Sequence, residues 1–139
     1  MRIIIYGANE MASAIATEFF EDHDVIVMDS NSKNLELFSK LDIGTIAASA
    51  LDNKFLKNTE VYGADVFISC TENDETNIIA CLMAKQACVS QTICFVSKVE
   101  SRESINALKD EYQMSYAKSI DNVILPQRLL VQEIFNRIT

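Results

Sequence analysis

The opening segment Arg2-Ile3-Ile4-Ile5-Tyr6-Gly7-Ala8-Asn9-Glu10-Met11-Ala12 constrains the fold of this chain more than any other stretch. An apolar run ends in a glycine and a helical pattern begins at once, with Met11, Ala14, Ile15 and Phe19 at spacings of three and four. A second apolar run, Val25-Ile26-Val27-Met28, then ends in Asp29. This order predicts a strand, a tight turn, a helix whose N-terminus faces the turn, and a second strand.

A helix that starts directly after such a turn offers unpaired N–H groups and a partial positive charge to a phosphate. An acid at the end of the next strand accepts hydrogen bonds from ribose hydroxyls. The interval from Gly7 to Asp29 matches the roughly 20 positions between glycine turn and ribose acid in dinucleotide-binding units. The full fingerprint G-x-G-x-x-G is not present, because Asn9 replaces the second glycine and Ala12 the third. Asparagine tolerates positive φ better than most residues, yet its side chain is expected to occupy space where a phosphate would sit. Ala12 is a mild change for helix–strand packing.

The alternation continues along the chain. Asp29-Ser30-Asn31-Ser32 is rich in cap residues and predicts a helix with Leu35, Phe38 and Leu41 inward. Strand three is expected over Ile43–Ala48, and a short helix capped by Asp52 through Leu56. Gly63-Ala64-Asp65 turns into strand four, Val66–Cys70. Asn73-Asp74-Glu75-Thr76 starts a long helix through Cys88, with Ile78, Ile79, Leu82 and Met83 expected inward. The acids Asp74 and Glu75 are read as capping groups of this helix. Thr92–Val96 is strand five, and Ser101 a cap for a helix that buries Ile105, Leu108 and Tyr112. Val123–Leu125 is a last short strand, Pro126 stands where a helix begins, and the final helix runs from Gln127. That helix projects Leu130, Val131, Ile134, Phe135 and Ile138 onto one arc. Leu129 falls within its polar arc, as a lone exposed leucine or as a contact for a second subunit. Strands alternating with helices over the whole length predict an α/β fold with a doubly wound parallel sheet, Rossmann-like. About six strands carry helices on both faces, and 1–139 is read as a single domain.

Composition narrows the functional classes. The 139 residues are 49% hydrophobic and 23% charged, as expected of a soluble domain, and no apolar run nears membrane-helix length. No basic-then-apolar leader precedes the first strand, so a cytoplasmic location and no direct membrane insertion are expected. A net charge of −8, with no Lys/Arg cluster, argues against nucleic acid as a partner. Cys70, Cys81, Cys88 and Cys94 form no C-x-x-C pair and sit in apolar patterns, so buried, reduced thiols are expected and no metal site. His23, the only histidine, falls between the first helix and the second strand, the end of the sheet away from ligands. No Tyr-x-x-x-Lys pair is present, so no catalytic residue is assigned. A small NAD-dependent oxidoreductase and a ligand-free oligomerisation module are the alternatives to a binding domain.

Four stretches together resemble a known family. They are Ile3–Glu10, Asp29 after strand two, Thr71-Glu72-Asn73-Asp74-Glu75-Thr76-Asn77 after strand four, and Ile124-Leu125-Pro126-Gln127-Arg128-Leu129-Leu130. In this order they resemble the regulator-of-potassium-conductance domain (RCK, also KTN or TrkA N-terminal domain). The resemblance implies a cytoplasmic ligand-sensing module of a potassium channel or a Trk-type uptake system. Such modules bind NAD(H) or an adenine nucleotide (AMP, ADP or ATP), form a homodimer through the terminal helix and assemble into rings that gate a membrane pore. Carried over by position, Gly7, Ala8, Asn9, Glu10 and Met11 would face phosphate, and Asp29 with Ser30 would hold the ribose. Ser49 and Ala50 would flank the adenine, and Thr71 and Glu72 would close the strand-four edge. The chain departs from the family in Ala48-Ser49-Ala50, where Gly-Asp-Ala is common. It departs again in Phe95-Val96-Ser97, where arginine is common and only Lys98 lies nearby. With Asn9 in the turn and few cations, AMP, ADP or NAD(H) is expected to be favoured over ATP.

Overall fold

A computed structural model of the chain describes residues 1–110, 120–124 and 131–138. Six strands, β1 (Arg2–Tyr6), β2 (Asp24–Asp29), β3 (Gly44–Ala47), β4 (Val66–Ser69), β5 (Gln91–Phe95) and β6 (Asn122–Ile124), form one sheet. Every neighbouring pair is parallel, in the order β3-β2-β1-β4-β5-β6. The helices are α1 (Glu10–Phe19), α2 (Asp74–Gln86), α3 (Val99–Asp110) and α4 (Val131–Ile138). Two 3₁₀ segments, Ser32–Phe38 and Asn53–Lys57, follow β2 and β3.

The doubly wound architecture follows from strands that are apolar on both faces. In β1, Ile3 and Ile5 point to one layer with Ile15, Phe19, Phe38 and Ile134. Ile4 and Tyr6 point to the other with Phe55, Ala80, Cys81 and Ile105. Helices α1 and α4 therefore cover one face, and α2 and α3 the other. The chain winds outward from β1 to β3, returns to β4 beside β1, and winds out the other way. This reversal between β1 and β4 opens a crevice at the carboxyl ends of the strands, the position where such sheets take ligands.

Several inward residues differ from the periodicity reading. On α1, Ala14 is exposed, while Ala12 and Ala16 are buried beside Ile15 and Phe19. Small side chains let that helix sit close to the sheet, which is the task of the third glycine position in the fingerprint. Helix α2 departs further. It buries Asn77, Ala80, Cys81 and Ala84, while Ile78, Leu82 and Met83 are half-buried and Ile79 is 46% exposed. Close approach of helix to sheet again selects small residues over large apolar ones.

Helix α2 also ends before Cys88. The Cys88 amide donates to Lys85 O at 3.0 Å and the Val89 amide to Ala84 O at 3.1 Å, a Schellman pair in which Cys88 takes the left-handed position at φ 60. That turn exposes Cys88, against the expectation of four buried thiols; Cys70, Cys81 and Cys94 are buried. Ser101 lies inside α3, and its hydroxyl donates to Asp74 Oδ2 at 3.1 Å, so it is not the cap of that helix. Leu41 and Leu108 are half-buried. Tyr112 and Leu129 lie outside the described residues.

Candidate functional site

The site is built around Gly7, which leaves β1 at φ +110 with its amide bonded to Met28 O at 2.9 Å. A Cβ here would lie 2.9 Å from Thr71 N and 3.1 Å from Cys70 C, so the turn passes directly against the end of β4. Only glycine supplies both the conformation and the clearance. Asn9, in contrast, is extended (φ −132, ψ −170), so the second fingerprint position needs no glycine for conformational reasons.

The Asn9 side chain is bound within the protein, at the N-terminus of α1. Its Oδ1 accepts from the Ala12 amide at 3.0 Å as the N-cap of α1, and its Nδ2 donates to Cys70 O at 2.7 Å. The cap consumes one of the orphan N–H groups of the helix. The amides of Glu10 and Met11 form no hydrogen bond among the described residues. These two donors, at the positive end of α1, are the groups left to meet an anion. Glu10 is exposed in the first turn, where its carboxylate competes for the same positive end.

Asp29 stands at the end of β2, half-buried and already oriented. Oδ2 accepts from the Ala8 amide at 2.8 Å, and Oδ1 from the Asn31 amide at 2.8 Å and Asn34 Nδ2 at 3.3 Å. A carboxylate has about four acceptor positions, so one stays open and the long Asn34 bond is displaceable by a vicinal diol. Ser30 beside it is exposed. Ala8 is buried, and its amide is committed to Asp29.

Two hollows flank this centre. One of about 250 Å³ beside the end of β3 is lined by Met28, Ala48, Ser49, Phe55 and Asn58 among others. Ser49 faces it, whereas Ala50 is fully buried in the core and contributes packing beneath. The other, about 280 Å³, lies between the start of α1 and the ends of β4 and β5. Its lining includes Met11, Thr71, Glu72, Phe95 and Ser97. Cys70 sits at its floor with its thiol donating to Gly7 O at 3.6 Å; burial, then the charge of Asp29, pushes its pKa up to about 12, so it is held as an unreactive thiol. The structure thus brings Gly7, Asn9, Met11, Asp29 and Thr71 to one edge, with Ser49 at its β3 end.

Two residues of this edge escaped the sequence reading as site-builders. Asn77, 1% exposed, accepts at Oδ1 from Ser69 Oγ (2.9 Å), Thr71 N (2.9 Å) and Thr71 Oγ1 (2.6 Å). Its Nδ2 donates to Thr71 O (3.0 Å) and Phe95 O (2.9 Å). Asp74, 4% exposed, accepts from Ser97 N and Oγ, Lys98 N and Ser101 Oγ, and so caps the start of α3; α2 is capped by Asn73 instead. Burial pushes the Asp74 carboxyl up, but the hydrogen bonds from Ser97, Ser101 and Lys98 outweigh it and hold the pKa below the usual aspartate value. The available signal was their spacing: Asp74, Asn77, Cys81 and Ala84 share one helical face.

A larger cavity of about 670 Å³ lies at the opposite, amino-terminal edge of the sheet, lined by Arg2, Asp22, His23, Asp24 and Tyr62 among others. It is wide open, its Arg2 is paired with Asp24 at 2.8 Å, and among the described residues no helix N-terminus or strand carboxyl end points into it. His23 is there, away from the crevice. Among the described residues no group of His, Cys, Asp and Glu is arranged to hold a metal, and no helix is long and apolar enough to cross a membrane.

Comparison with known proteins bears on the fold and the family. A "Trk system potassium uptake protein TrkA homolog" from Archaeoglobus fulgidus is 34% identical over 134 residues, covering 96% of this chain and 29% of that protein. The chain therefore spans under a third of that relative's length. Among solved structures, the NAD(P)-binding domain of an exopolyphosphatase-related protein from Archaeoglobus fulgidus superposes with a TM-score of 0.72 at 16% identity, covering 98% of this chain and 96% of that one. The GsuK channel bound to NAD superposes with a TM-score of 0.69 at 18% identity, covering 90% of this chain and 21% of that one. At these identities the two structures establish the Rossmann-like fold. The family model of the TrkA-N domain matches residues 3–126, and the chain belongs to that family.

Proposed function

We propose that residues 1–139 are a single regulatory domain that binds an adenine nucleotide at the carboxyl edge of β1, β2 and β4 and takes no part in a chemical reaction. The observation that carries this reading is the joint placement of Gly7, the free Glu10 and Met11 amides, and the pre-oriented Asp29. A diphosphate would meet the two amides, and the ribose diol the open acceptor position of Asp29. Ser49 and the hollow beside β3 would take the adenine. The ranking NAD(H), ADP or AMP over ATP rests on charge: Glu10 and Glu72 rim the phosphate region, and Lys98 is the cation closest in sequence to the β5 end. A third phosphate would add charge with little to neutralise it. Asp29 also opposes a ribose 2′-phosphate, which favours NAD(H) over NADP(H).

Family membership supports a role in potassium transport, with the domain on the cytoplasmic side of a membrane transporter or channel subunit. Pairing through α4, ring assembly and gating by rearrangement of the ring are part of the same proposal. In α4, Ile134 is buried against this chain's own core while Asn136 and Arg137 are exposed. A partner would therefore use surface other than Ile134.

Calorimetric titration with NAD⁺, NADH, ADP, AMP and ATP tests the reading. Asp29→Asn, which keeps the shape of the side chain but loses the charged acceptor, is expected to weaken NAD⁺ and AMP alike by about tenfold, the loss of one charge-assisted hydrogen bond. Wild-type protein that binds none of the five would leave an empty scaffold, and tight binding of ATP alone would overturn the ranking.

A further inference from the structure

We propose that Asn77 is a positioning residue for the second half of the crevice, the hollow over β4 and β5, and thereby sets the preference for a dinucleotide over a mononucleotide; this rests on the nucleotide-binding reading above. Asn77 does not line that hollow. It lies beneath it, and its single carboxamide is bonded to both main-chain walls, Thr71 on the β4 side and Phe95 on the β5 side. Thr71 and Phe95 themselves line the hollow. One side chain thus joins the two walls just past the end of the β4–β5 pairing, beside the tie that Asp74 makes to Ser97 and Lys98, and so bears on the space for a second nucleoside.

Packing alone does not call for an asparagine there. The same face of α2 continues as Ala80, Cys81 and Ala84, all fully buried, and an apolar residue would extend it at lower desolvation cost. A buried carboxamide with every polar atom engaged instead fixes one arrangement of the loops it joins. The first half of the crevice is held by other means. Gly7 is bonded to Met28, Asp29 to Ala8 and Asn31, and Asn9 to Cys70, so none of these anchors passes through Asn77.

The test titrates wild-type protein and Asn77→Asp with AMP and with NAD⁺. Aspartate keeps the size and the acceptor but turns both donations to carbonyl oxygens into repulsions. The NAD⁺ affinity is expected to fall about tenfold while that of AMP changes by no more than about twofold. Ser69→Ala, which removes one of three donors to Oδ1 and leaves Asn77 in place, reads the same ratio if the first variant does not fold. It is expected to shift that ratio about threefold. Equal losses for both ligands, or no loss, would make Asn77 a packing residue and overturn the proposal. Wild-type binding of AMP without NAD⁺ would overturn it too, since no second half would then be in use. Wild-type binding of neither overturns the nucleotide reading itself, before any variant is made.

Discussion

Gly7→Ala is expected to lower the unfolding free energy by about 3 kcal/mol and to abolish nucleotide binding. Two costs add. An L-residue at φ +110 is strained, and the new methyl would lie 2.9 Å from the Thr71 amide nitrogen and 3.1 Å from Cys70 C. Those are main-chain atoms at the end of a central strand, so relief requires β1 and β4 to separate at the crevice. The β-carbon would also displace the turn that aims α1 at the phosphate. Gly63→Ala is the control, because Gly63 also has positive φ (+72) but a methyl group placed on it would meet nothing within 4 Å. It bears the conformational cost alone, about 1 kcal/mol. Urea unfolding of both variants separates strain from collision: similar losses would mean that the contact with β4 has no energetic weight.

Asp74→Ala is the second large effect, expected to cost about 2 to 3 kcal/mol at neutral pH. The substitution strips four donors from one carboxylate: two amides at the start of α3 and the hydroxyls of Ser97 and Ser101. Water reaches some of them, since Ser97 and Lys98 are exposed, and this limits the loss. The pH dependence identifies the cause. The folded-state pKa is lowered, so the wild type binds the proton less readily than the unfolded chain does. Its contribution is fully present above the ordinary aspartate pKa of about 3.9, and is lost as pH falls from there through the lowered folded value. The stability gap between wild type and Asp74→Ala should therefore shrink on acidification. A gap that stays constant down to about pH 3 would assign the effect to packing, about which charge has no say.

What was legible in the sequence was local. The Arg2–Tyr6 run, the Gly7 break and the cap residues each act within a few positions, and β1, α1 and β2 follow from them. The place of Asp29 at the end of β2, beside the Gly7 turn, was legible because it depends on an interval along the chain. The buried face of α2 was not, because large apolar residues dominate the pattern there. The helix approaches the sheet closely enough to exclude Ile79 and admit Asn77, Ala80 and Cys81. Asn77 and Asp74 look like ordinary polar residues near a helix start; their partners, Phe95 and Ser97, lie 18 and 23 residues away and become neighbours only through the parallel pairing of β4 with β5. Cys88 was misplaced for a different reason, since a left-handed helix terminus is usually signalled by glycine. Asn9 is an intermediate case. Its identity as a departure from the fingerprint was visible, but its two bonds, to Ala12 and to Cys70, depend on the turn being folded.

The most direct test of the binding edge is a nitrogen-15 amide titration of the chain with NAD⁺. Shifts are expected to concentrate at Gly7–Met11 and Asp29–Asn31, with a second group at Thr71 and Glu72. Shifts confined to the opposite edge, at Arg2, Asp22–Asp24 and Tyr62–Ala64, would place the ligand in the larger cavity there and contradict it.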